Sequence, residues 1–127
     1  LLLAGLVLIM PVARAAPEEA WQGSSLSDET LKKVQLALVD YQRCINEDTQ
    51  ARINDRLDSR AMTDAILKQC EEKLGAVKTA FDQEKVPAEV SERYMRSRRT
   101  HAARNILKTI MGIQALRAGS GQTQPQP

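Results

Sequence analysis

Few side chains in this sequence can do chemistry. Two cysteines, Cys44 and Cys70, and a single histidine, His101, stand among many carboxylates and cations. The cysteines are too far apart for a C-x-x-C metal knuckle, so they offer a disulfide or, alternatively, two buried free thiols. No carboxylate or cysteine lies three or four residues from His101, so no local catalytic dyad or metal site can be assembled around it. The chain has no G-x-S-x-G elbow, no Gly-rich phosphate loop and no H-E-x-x-H. Met62, Met95 and Met111 are too scattered for a copper site and read as core or near-core fillers. The expectation is a non-enzymatic protein with no metal and no cofactor.

The remaining chemical signal is charge. From Arg93 onward the chain holds Arg93, Arg96, Arg98, Arg99, Arg104, Lys108 and Arg117 and not one Asp or Glu. These are seven positive charges in a protein of net +2, which leaves net −5 on the first 92 residues. Arg93, Arg96, Thr100, Arg104 and Lys108 fall near one helical stripe, while Met95, Ala102, Ile106, Ile110 and Ile113 form an apolar one. Arg93, Arg96, Arg99, Arg104 and Lys108 are therefore the candidate partner-binding residues, suited to an acidic protein or an anionic membrane surface. The competing account is internal neutralisation by Glu71, Glu72, Asp82 and Glu84, which would leave exposed pairs of small energetic consequence. Nucleic acid is a poor partner, because the net charge is small and no aromatic residues interleave with the arginines.

The elements that must position these residues are helices. Strand alternation and Asn-Gly or Asp-Gly hairpin turns are absent. Leu31, Val34, Leu38, Tyr41 and Ile45 recur at helical steps, and so do Ile66, Cys70, Leu74, Val77 and Phe81. Both cysteines lie on these apolar faces. The first helix opens at Ser27, a capping residue followed by Asp28 and Glu29. The second is well defined from Thr63-Asp64, a second cap. Both helices extend toward a turn near Asp58-Ser59, because a long structureless loop is uncommon. If the cysteines face each other, opposed residue numbers add to 114, as 44 and 70 do. Val34 then sits beside Ala80 and Phe81, Ala37 opposite Val77, and Tyr41 opposite Leu74, so apolar meets apolar at every layer. Pro87 breaks the chain again and suits a first helical position. A third helix follows from about Ala88 to Ala118, with Gly119 as its cap and Gly112 permitting a close neighbour. The predicted fold is all-α: a disulfide-stapled antiparallel helical hairpin plus a third long helix, a small three-helix bundle.

The ends carry an address. Leu1 to Val12 is an apolar run followed by Ala13-Arg14-Ala15, the pattern of a secretory signal peptide over residues 1–15 cut after Ala15. An uncleaved membrane anchor is the alternative, but about twenty apolar residues are needed to span a bilayer. Residues 16–25 form a polar arm with Trp21 as its anchor on the helices, residues 26–119 the helical domain, and residues 120–127 a disordered Gln/Pro tail. Export and a cystine agree, since disulfides persist in oxidising compartments. The expected address is the bacterial periplasm or outside the cell.

The stretch Ile110-Met111-Gly112-Ile113-Gln114 resembles one degenerate copy of the Leu-Thr-x-x-Gln signature of the Spy-type periplasmic chaperones, keeping Gln114 and replacing Thr by Met111. That resemblance implies a chaperone as the alternative to a docking protein. An inhibitor or immunity-type role is a further alternative, and a homo-oligomer joined through Ile106, Ile110 and Ile113 is another.

Overall fold

A computed structural model describes residues 26–120. The expected signal peptide, the polar arm with Trp21 and all but the first residue of the tail lie outside the described residues. Three helices make up the fold: α1 (Asp28–Arg52), α2 (Ser59–Gln83) and α3 (Ala88–Gly119). At 1.5 Å per residue, α3 runs for about 48 Å.

The hairpin forms as its spacing predicts. Cys44 and Cys70 are joined, with Cα atoms 5.8 Å apart. The predicted facing layers are buried on both helices: Val34, Ala37 and Tyr41 on α1, and Leu74, Val77, Ala80 and Phe81 on α2. Asp58 accepts from the Ala61 N–H at 2.8 Å and caps α2 at the predicted turn. Thr63 is therefore not a cap. It lies inside α2 with its hydroxyl donating to the Ser59 carbonyl at 2.7 Å.

The open end of the hairpin is latched. Ser27 caps α1 by accepting from the Thr30 N–H at 3.2 Å. Its own N–H donates to both carboxylate oxygens of Glu84, at 3.0 and 3.1 Å, and its hydroxyl donates to the same carboxylate. The Ser27 hydroxyl, followed by Thr30, holds the Glu84 carboxyl below the usual carboxylate range. The latch therefore adds stability above the ordinary Glu pKa and loses it as pH falls through the lowered value.

The α2–α3 link is a Schellman-type stop. Lys85 N–H donates to the Asp82 carbonyl (3.0 Å) and Val86 N–H to the Phe81 carbonyl (3.1 Å), with Lys85 left-handed at φ 57°. Val86 and Phe81 are both buried beside this turn. Pro87 sits at the cap position of α3 rather than inside it, and its carbonyl accepts from Val90 and Ser91. Gly119 ends the helix as a helical residue, and Ser120 N–H closes it onto the Leu116 carbonyl at 3.0 Å.

α2 packs along both neighbours, whereas α1 and α3 meet at few points. Met95, Ala102, Ile106 and Ile110 of α3 join the core, and Phe81 meets Tyr94 edge-to-face at 5.3 Å. This unequal packing corrects four expectations. Leu31 is 43% exposed and Leu38 only half-buried, because both lie on the flank of α1 that α2 does not cover; Ala37 takes the core position. Met111 is 55% exposed, since one residue beyond Ile110 turns it about 100° from the core. Among the described residues, Gly112 has no neighbour within 4 Å of where a side chain would start, so it mediates no close approach between them. Ile106 and Ile110 are buried inside the molecule and are not available to join copies.

Candidate functional site

The basic stripe of α3 is built by helical phase alone. Arg93, Arg96, Thr100 and Arg104 point away from the buried row Met95, Ala102, Ile106 and Ile110. With Ser97 and His101 they surround a shallow furrow of about 390 Å³. Lys108 continues the exposed stripe one turn beyond Arg104. Among the described residues, none of Arg93, Arg96, Arg104 or Lys108 has a carboxylate within 4 Å. His101 shares a 3.1 Å contact between its Nε2 and the Asn105 amide.

Arg99 differs from the rest of the candidate set. It lies on the flank facing α2 and donates from Nε to both oxygens of Glu71, at 2.9 and 3.0 Å, with its second guanidinium nitrogen on the same carboxylate. The Glu71 hydrogen bond pushes the Arg99 pKa up. This forked pair ties α3 to α2 one residue past Cys70. The nearby Tyr41 hydroxyl is buried and makes no hydrogen bond to another described residue; burial, followed by the Glu71 charge, pushes its pKa up.

Among the described residues, internal neutralisation of the candidate set is thus limited to that pair. Asp82 is held by Lys78 at 2.8 Å within α2, and Glu84 is spent on Ser27. Arg117 is also engaged, donating to the Ile53 carbonyl (3.2 Å) and to Asn54 Oδ1 (2.8 Å). It caps the carboxyl end of α1 and fixes the far end of α3 to the hairpin turn. What the outward arginines can do chemically is fork onto carboxylates or other oxyanions, with the Ser97 and Thr100 hydroxyls as further donors.

A second concavity was not anticipated from sequence. Where α1 and α3 splay, a half-open groove of about 330 Å³ runs between them. Its floor is apolar, with Ile45, Ile53, Ala102 and Ile106, and its α1 rim carries Gln42, Asn46 and Gln50. Among the described residues, none of the side chains lining it is a carboxylate, a cation or a histidine. The available signal was an uncharged amide at every fourth residue of an otherwise charged helix.

Among the described residues, no group of three or more His, Cys, Asp or Glu is placed to hold a metal ion, and no helix is long and apolar enough to cross a membrane. Comparison with protein-family models, with curated proteins and with solved structures found no match.

Proposed function

We propose that this is an exported, non-enzymatic binding protein whose α3 docks an acidic segment of a partner protein. The observation that carries the reading is the row Arg93, Arg96 and Arg104, which stands on one exposed stripe with no carboxylate within 4 Å among the described residues. Unpaired surface arginines supply steering and forked hydrogen bonds to a partner's carboxylates without first having to break an internal pair.

Between an acidic protein and an anionic membrane, the stripe favours the protein. A helix that lies on a bilayer sets large apolar residues beside its cations so that they enter the acyl boundary. Between Arg93 and Lys108 the outward stripe carries Ser97 and Thr100 instead, and the exposed large apolar residues of α3, Met111 and Leu116, come later. Export is supported by the cystine, which persists in an oxidising compartment, and by the signal-like pattern of residues 1–15.

The test is capture from a periplasmic extract. Reversal of Arg93, Arg96 and Arg104 to Glu, all on the exposed stripe, abolishes capture of an acidic protein while the helical circular dichroism is unchanged. Equal capture by the reversed protein rules the docking face out.

A further inference from the structure

We propose that the groove between α1 and α3 binds about five residues of extended, uncharged polypeptide, apolar at every second position. The inference concerns a different face from the basic stripe and does not depend on it.

Spacing comes first. Gln42, Asn46 and Gln50 recur every four residues along the α1 rim, which is about 6 Å of helix rise. An extended chain repeats its backbone groups on one side every two residues, about 6.7 Å. The two repeats drift by little more than 1 Å over the rim, within reach of flexible Gln side chains. From Gln42 to Ile53 the groove is about 17 Å long, which accommodates about five extended residues.

Hydrogen-bond chemistry points the same way. Gln42 donates to Asn46 Oδ1 at 2.9 Å, which leaves the Gln42 carbonyl as an acceptor and the Asn46 amide as a donor. That is the complement of one residue in an extended strand, whose N–H and C=O point to the same edge. An extended segment needs such partners, because its backbone groups are unpaired and burying them without partners is costly. A bound helix has satisfied its own backbone and has no use for a ladder of rim amides.

The floor sets the side chains. Ile45, Thr49 and Ile53 also recur at four-residue steps, with the Thr49 hydroxyl already donated to the Ile45 carbonyl, so each second side chain of an extended segment meets the floor. Among the described residues, no ionisable side chain lines the groove, and a charged residue pressed onto the floor would be desolvated without a counter-charge.

The probe is the capped pentapeptide acetyl-Val-Ser-Leu-Ser-Val-amide, titrated into the full chain and followed by amide NMR. It shifts the signals of Gln42, Asn46, Asn105 and Ile106. The same peptide methylated on its leucine and both serine nitrogens, which blocks both edges, binds at least tenfold more weakly, and replacement of its central leucine by glutamate abolishes the shifts. Asn46→Leu, at an exposed helical position, weakens the unmodified peptide at least tenfold, whereas R96E/R104E leaves it unchanged. Absence of shifts at the solubility limit of the peptide overturns the proposal. So does equal affinity of the methylated peptide or of the Asn46→Leu protein, since either means that apolar bulk alone is recognised.

Discussion

The two sides of α3 are made from the same helix and obey opposite rules. On the inner side Met95, Ala102, Ile106 and Ile110 are each less than a tenth exposed, and Arg99 spends its guanidinium on Glu71. On the outer side Arg93, Arg96 and Arg104 stand with Ser97 and Thr100 around a furrow, with no counter-charge within 4 Å among the described residues. The inner side holds the fold together. The outer side contributes no buried residue to it, and that is where the proposed partner would dock. The difference teaches that a run of arginines must be divided by direction before it is counted as a surface.

The largest effect should separate adjacent residues. Ile110→Ala removes a fully buried side chain and should cost about 2–5 kcal/mol, whereas Met111→Ala, 55% exposed, should stay within about 0.5 kcal/mol. Urea unfolding of both variants measures the gap, and equal costs would break the division of α3 into two sides. Next comes the hairpin that receives the inner side. Replacing Cys44 and Cys70 together by Ala should cost about 3 kcal/mol, set by the loop that the cystine closes. The same denaturation series checks it.

Smaller changes sharpen the comparison. Lys85 occupies a left-handed position that glycine adopts freely, so Lys85→Gly should raise the unfolding free energy by about 1 kcal/mol. That gain is confined to the junction placing α3 on the hairpin and should leave partner binding untouched. Arg99→Gln should cost less than about 1 kcal/mol, because the Arg99–Glu71 pair is partly exposed and screened. Arg96→Gln should cost nothing measurable in the same assay, and a larger loss for Arg96 than for Arg99 would invert the assignment.

Much of this was legible in the sequence, and the parts that were not share a cause. The hairpin register followed from Cys44 and Cys70, because two apolar periodicities had to coincide once one facing pair was fixed. The outward course of Arg93, Arg96 and Arg104 followed from helical phase. The commitment of Arg99 to Glu71 did not, since pairing across helices depends on how α3 rolls against α2, which no spacing within one helix encodes. The exposure of Leu31 and the groove beside Ile45 escaped for the same reason. Periodicity says which face of α1 is apolar, but not that α2 would cover that face while α3 stood apart. Lys85 was hidden by type, because a left-handed stop is usually marked by glycine.

The central claim is that the outward arginines recognise acidic protein while Arg99 does not. The most direct test is calorimetric titration of a glutamate-rich dodecapeptide into the wild-type chain, an Arg96→Gln/Arg104→Gln variant and an Arg99→Gln variant, each at low and physiological salt. The account predicts binding that weakens with salt, a loss of at least tenfold in the outward variant and wild-type affinity in the Arg99 variant. Loss of equal size in both variants, or unaltered affinity in the outward one, would contradict it.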